Sequence, residues 1–251
     1  MYGYRDYNGP KVVTAATKAS SPQDDVALTQ KQDHDDDMNP LQAGFWMEGD
    51  SMAPPCGTSI STIHKILEYL QLDANNDILY DLGCGDGRVC LEAWYQYKCK
   101  AIGVEVEGDL ARRFQTLIGN LLSELDYHSS IKNFPSMHCM DLREVLHLWA
   151  KINYDAPDND DDDGNTKYKH KFPFPTIIFL YLLPEALLEI KKSLLKILKK
   201  APNQNCRIVC NTWGIPGWKP IQETTIPEAT AVGVSTTFYV YTAASFARKG
   251  A

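Results

Sequence analysis

The sequence predicts an α/β protein: a mostly parallel sheet with helices on both faces and an antiparallel hairpin at the C-terminal end. Three observations predict it. Short apolar runs of strand length alternate with segments whose apolar residues recur at helical spacing, as in successive β-α units. A cluster of glycines sits where one such strand passes into its helix, in DILYDLGCGDGRVC from Asp77 to Cys90. The last strand-like run follows its predecessor across a Pro-containing connection with no room for a long helix, which parallel neighbours would require.

Residues 1–44 are polar and aperiodic with an acidic cluster from Asp33 to Asp37, and are expected to form a disordered tail. The bulkier GFWMEGDSM that follows carries Phe45, Trp46 and Met47 and opens a single domain over residues 45–251. STIHKILEYLQL places Ile63, Ile66, Leu67 and Leu70 on one helical face. DILYDL is a first strand and GRVCLEAWYQY the helix behind the glycines; KAIGVEV is a second strand. Asp109 is placed to cap a long helix from Leu110 to about Leu125, and SMHCMD ends a third strand. A helix near Leu142 to Ala150 follows, then an acidic insertion over residues 152–172, expected to be solvated. TIIFLYL is a fourth strand. Pro184 sits at a first helical position, where a missing N–H is tolerated, and Leu187, Ile190, Leu194 and Ile197 turn inward while the lysines of that helix face solvent. CRIVCNTW and TTFYVYT complete the strands.

Charge narrows the function. Of the net charge of -7, residues 1–50 carry four basic and nine acidic side chains and residues 151–172 four and six, so the remainder balances at 17 against 17. A neutral core with acidic appendages lacks the basic face of a nucleic-acid binder and suits basic partners. Seven cysteines without a C-x-x-C pair suggest neither a disulfide framework nor a zinc site. The most apolar run is broken by Pro184 and Glu185 and is short of the roughly 20 residues a membrane span needs. No apolar leader opens the chain, and the early segment is too acidic for a transit peptide; a cytoplasmic protein without membrane contact is expected.

The glycines choose among nucleotide ligands by their neighbours. A dinucleotide fingerprint reads G-x-G-x-x-G, whereas Gly83, Gly85 and Gly87 give G-x-G-x-G with Arg88 in the third glycine's place. No G-K-[ST] follows, which excludes a Walker loop. Asp81 puts a carboxylate at the end of the first strand, where an ammonium is welcome and a pyrophosphate is not. Glu105 ends the second strand, where it can accept both hydroxyls of a ribose. Asp141 follows the third strand, placed either to accept from an adenine amino group or to cap the helix at Leu142. Ammonium, ribose and adenine together describe S-adenosylmethionine.

DLGCGDGR followed by GVEVEGDLARRF resembles motif I and the acidic post-I motif of seven-strand class I methyltransferases, over about Thr58 to Thr242. The resemblance implies a Rossmann-like seven-strand sheet. It also implies a cofactor site in which Asp81, Gly83, Cys84, Gly85, Asp86 and Gly87 line the methionine part, Glu105 the ribose, and Asp141 with Leu142 the adenine. ILYDLGCGDGR, AIGVEVE, TIIFLYLLPE, CRIVCNTWGIPGWKP and TTFYVYT are similar to the archaeal broad-specificity protein lysine methyltransferase and its mitochondrial relatives, which implies a protein substrate methylated on lysine. Those relatives have a V-P-[TS]-P entry before the first helix. This chain has APPCGTSIS there, which leaves the roles of Thr58 and Ser59 open. The fourth strand ends without the Asn-Pro-Pro or Asp-Pro-Pro clamp of adenine and amide methyltransferases. Tyr181, Leu182, Trp213 and Trp218 would instead form an apolar mouth for a lysine stem, with Tyr181 and Trp213 as the acceptor-pocket candidates and no metal. A small-molecule methyltransferase and a non-catalytic cofactor-binding module are the alternative readings.

Overall fold

The computed structural model describes residues 57–124, 132–152, 169–200, 205–227 and 235–246. The acidic tail, GFWMEGDSM and the middle of the insertion lie outside these. The elements run α1 (Ile60–Leu70), β1 (Ile78–Leu82), α2 (Arg88–Tyr97), β2 (Lys100–Glu105), α3 (Gly108–Glu124), β3 (Ser136–Cys139) and α4 (Leu142–Lys151). Then follow β4 (Ile177–Leu180), α5 (Pro184–Lys200), β5 (Arg207–Asn211), β6 (Gln222–Pro227), β7 (Ser235–Tyr241) and a 3-10 turn at Ala243–Phe246.

One seven-stranded sheet has the order β3-β2-β1-β4-β5-β7-β6. The first five strands in this order are parallel; β7 runs antiparallel to β5, and β6 antiparallel to β7. This is the α/β sheet with a C-terminal antiparallel hairpin that the sequence predicts. Two apolar cores cover its faces: α1, α2 and α3 pack on one side through Ile63, Ile66, Cys90 and Phe114, and α4 and α5 on the other through Val145, Trp149, Ile190 and Leu194. Alternation along each central strand feeds both cores, so Leu79 and Phe179 serve the first and Tyr80 and Ile178 the second.

Local chemistry sets the helix ends. Ser59 caps α1, its hydroxyl accepting the Thr62 N–H at 3.2 Å, and Gln71 closes it in the left-handed region. Pro184 opens α5 as expected. Two expectations shift. The third helix starts at Gly108, so Asp109 lies in its first turn, where it pairs with Arg112, and is not its cap. Strand β6 was not singled out in the sequence: its Gln, Glu and Thr residues give little apolar alternation, as suits an edge strand whose burial is confined to Ile226. Ile152 and Phe172, at the two ends of the insertion, are buried, so its ends are anchored in the core. Among the described residues no helix is long and apolar enough to cross a membrane.

Candidate functional site

The site forms at the carboxyl ends of the parallel strands, where β1 breaks into the glycine loop. Gly83, Gly85 and Gly87 all have positive φ, at 85°, 55° and 78°, so each uses backbone space that L side chains seldom enter. Their surroundings differ. A Cβ on Gly87 would lie 2.3 Å from the Phe114 ring, while one on Gly85 would meet nothing within 4 Å. Gly87 therefore lets α2 and α3 close together, and Gly85 leaves its outer side open. The Gly83 and Cys84 N–H groups both donate to the Val104 carbonyl, at 2.8 and 3.0 Å, tying the loop to β2.

Three carboxylates gather around this loop: Asp81, Asp86 and Glu105 are 3%, 7% and 7% exposed. Each is held differently. Glu105 accepts the Gly85 N–H at 2.8 Å and the Glu107 N–H at 2.9 Å, one on each oxygen, which orients it beside the loop. Asp86 is engaged by Arg88, whose Nε lies 2.9 Å from Oδ1 and Nη2 2.7 Å from Oδ2. Arg88 thus pairs inward and does not point to solvent. Among the described residues no basic side chain pairs with Asp81, and burial, then the charges of Glu105 and Asp86, push its carboxyl well above the usual range. The cluster holds three acids against one guanidinium, so it favours a cationic ligand.

Burial pushes the Cys84 thiol up, which argues against a nucleophilic role for it. Asp141 is the N-cap of α4, accepting the Arg143 N–H at 2.8 Å, and its carboxylate is also bound by the Arg143 guanidinium. That side-chain bond holds its carboxyl below the usual value. The Met140 N–H donates to the Glu105 carbonyl at 2.9 Å, which fixes the turn before Asp141 against the end of β2. Leu142 is buried in the α4–α5 core.

On the other side of Asp81, the aromatic pair expected from the sequence comes together. The rings of Tyr181 and Trp213 are stacked, with centroids 5.8 Å apart and planes 18° apart. Leu182 is buried, with a methyl beside Gly83. Trp218 departs from the expected mouth: its ring packs edge-on against Tyr241 and Phe246. Lys191, expected on a solvated face, donates instead to the Pro216 carbonyl and braces the loop that carries both tryptophans.

The sequence reading missed a polar link across the site. Asn211, at the end of β5 and 2% exposed, donates through Nδ2 to the Thr58 hydroxyl at 3.0 Å, and Arg88 Nη1 donates to the Thr58 carbonyl at 3.1 Å. The departure from V-P-[TS]-P thus still leaves a hydroxyl that joins the entry segment to the loop and to β5. A polar residue ending an otherwise apolar strand, in RIVCN, was the available signal.

No family model matches the chain. A protein-lysine N-methyltransferase of Saccharolobus islandicus (strain REY15A) is 37% identical over 60 residues, covering 24% of this chain and 37% of that relative's length. Among solved structures, an RNA methyltransferase from Salinibacter ruber in complex with S-adenosyl-L-homocysteine superposes with a TM-score of 0.49 at 21% identity, covering 74% of this chain and 92% of the other. A magnesium protoporphyrin IX methyltransferase from Synechocystis PCC 6803 with bound S-adenosylmethionine superposes with a TM-score of 0.43 at 11% identity, covering 72% and 78%.

Proposed function

We propose that the chain is an S-adenosylmethionine-dependent methyltransferase that acts on lysine side chains of proteins. The observation that carries the reading is the buried, cation-deficient carboxylate cluster around an open glycine loop, with Asp81 lacking a basic partner among the described residues. An ammonium and a sulfonium are the charges such a cluster accepts, and a pyrophosphate is the charge it rejects. The short lysine-methyltransferase match and the sequence resemblance support the acceptor class.

In this reading Asp81 binds the amino-acid ammonium and Gly85 gives the ligand close approach to the backbone. Glu105, already oriented by two N–H groups, keeps lone pairs for the ribose hydroxyls. Asp141 and Leu142 flank the adenine, with helix capping and ligand contact both open to the same carboxylate. When bound, the cofactor supplies an electrophilic methyl group. The protein's remaining tasks are alignment and exclusion of water, for which the stacked Tyr181 and Trp213 form an apolar wall. A lysine must arrive neutral although its side chain ordinarily titrates at about 10.4, and an apolar slot beside a cation lowers that value.

The test incubates the protein with methyl-labelled S-adenosylmethionine and a lysate of its own source, then separates the label by protease, nuclease and size. Methyllysine after hydrolysis is the expected result. Label confined to metabolites or to nuclease-sensitive material would assign another acceptor, and cofactor binding without any transfer would leave a binding module.

A further inference from the structure

The amide of Asn211 has one end held and the other unsatisfied. Nδ2 donates to Thr58, but Oδ1 is closed to solvent and has no hydrogen-bond partner among the described residues. A buried unsatisfied acceptor is costly, so it calls for an explanation outside packing.

Its place in the sheet supplies one. Asp81 is level with Phe179, and Phe179 with Val209, across β1, β4 and β5. Two residues further along stand Gly83, just past the end of β1, Tyr181, just past the end of β4, and Asn211, the last residue of β5. Val209 and Phe179 belong to the core under α1 and α2, while Cys210 and Leu180 belong to the opposite one. By alternation Asn211 and Tyr181 therefore face the same side as Asp81. With strands about 4.8 Å apart and a rise of about 3.3 Å per residue, Asn211 lies two strands across and two residues along from Asp81, about 12 Å from it. It begins the turn that carries Trp213, whose N–H donates to the Asn211 carbonyl at 2.8 Å. The chain after β4 offers Tyr181, Leu182 and Leu183 at this point, so Asn211 is the amide beside the aromatic wall.

We propose that Asn211 receives the methyl acceptor: its Oδ1 accepts an N–H from a primary amine entering beside Tyr181 and Trp213, while Thr58 holds the other end of the amide. This deepens the methyltransferase reading and rests on it. The hydrogen bond to Oδ1 turns the nitrogen lone pair toward the methyl carbon. The N–C bond forms as the C–S bond breaks, the electron pair of the broken bond stays on sulfur in a neutral thioether, and the resulting alkylammonium gives one proton to water. Arg88 and Asn211, gripping Thr58 from two sides, make Thr58 a positioning residue for this contact.

The test compares Asn211→Ala, Asn211→Asp and Thr58→Val with wild type, reading cofactor affinity by calorimetry, melting temperature, and kcat and KM for labelled lysine-containing protein. The expected result for Asn211→Ala is a fall in kcat of a hundredfold or more with cofactor affinity within threefold. Thr58→Val should fall less, again without loss of cofactor. Asn211→Asp keeps the shape and so serves if the alanine variant does not fold. Its carboxylate favours the ammonium form, so the rising limb of kcat against pH should move to higher pH. Wild-type turnover in either Asn211 variant, an unmoved limb in Asn211→Asp, or cofactor affinity falling in step with activity overturns the proposal while leaving the methyltransferase reading intact. Label found only on an acceptor that is not an amine overturns the proposal alone, and a wild-type protein that binds cofactor and transfers no label overturns both.

Discussion

Asp81 gives the residue scale its sharpest consequence, because its carboxyl is raised by burial and by two neighbouring carboxylates. A folded-state value above the unfolded one means that the folded protein holds more protons, so this group's contribution to stability falls as pH rises from the ordinary value of 3.8 through the raised one. A cationic ligand reverses that preference. Binding of S-adenosylmethionine should therefore release protons, visible as a calorimetric heat that changes with the buffer's ionisation enthalpy. Asp81→Asn should raise the melting temperature of the cofactor-free protein and weaken the cofactor by about 10- to 150-fold, the range of a hydrogen bond to a charged group at about 1.5–3 kcal/mol. Unchanged affinity in a folded Asp81→Asn would remove it from the site. The glycines separate two roles. Gly87→Ala must displace Phe114 and should destabilise the domain, whereas Gly85→Ala meets only its positive φ, about 1–2 kcal/mol, and should fold yet lose cofactor binding. Equal melting temperatures for the two variants would contradict this division. Asp81, Glu105 and the glycines were legible in the sequence because a strand end and the loop after it are adjacent in the chain. Asn211 was not, because its partner Thr58 is 153 positions away and only the sheet brings them together.

At the scale of elements, α4 shows how one side chain serves a helix end and a link to the next helix together. Asp141 caps the helix and draws Arg143 onto itself, and Arg143 also reaches Glu189 on α5 at 3.0 Å. Asp141→Ala should cost about 1 kcal/mol, the usual loss of an N-cap, and lower the melting temperature by about 2–4 °C in a domain of this size. Its carboxyl sits below the usual value, so its contribution is present above the unfolded pKa and fades as pH falls through the depressed folded one. Asp141→Asn keeps a capping oxygen and should retain most of the stability while losing this acid dependence. A thermal melt series from neutral to acid pH checks both. The helices and buried strands of the fold were legible from their periodicity, down to Pro184 at the start of α5, while the capping role of Ser59 emerged only in the structure. Strand β6 was not, since Gln222, Glu223, Thr224 and Thr225 take their place from pairing with β7 and not from burial of an apolar face.

Across the whole molecule, charge is divided between a balanced domain and acidic segments at residues 1–50 and 151–172. The carboxylates of Asp81, Asp86 and Glu105 are buried, and bulk salt screens buried charges weakly, whereas charges that interact through water are screened over about 8 Å at physiological ionic strength. A lysine-rich protein substrate would be drawn by the second kind of charge and not the first. The two can be separated by salt. Between low and physiological ionic strength the KM for a basic protein substrate should rise severalfold while the calorimetric affinity for S-adenosylmethionine stays nearly constant. Removing residues 1–40 takes away seven acidic and four basic side chains and should flatten the salt dependence of KM without altering cofactor affinity. An unchanged salt slope in that variant would reduce the tail to a spacer and transfer any steering to the acidic stretch between α4 and β4. A slope that flattens together with loss of cofactor binding would instead mean that the tail supports the fold. The separation follows because the carboxylates of Asp81, Asp86 and Glu105 are buried while the acidic surplus of the sequence lies in residues 1–50 and 151–172.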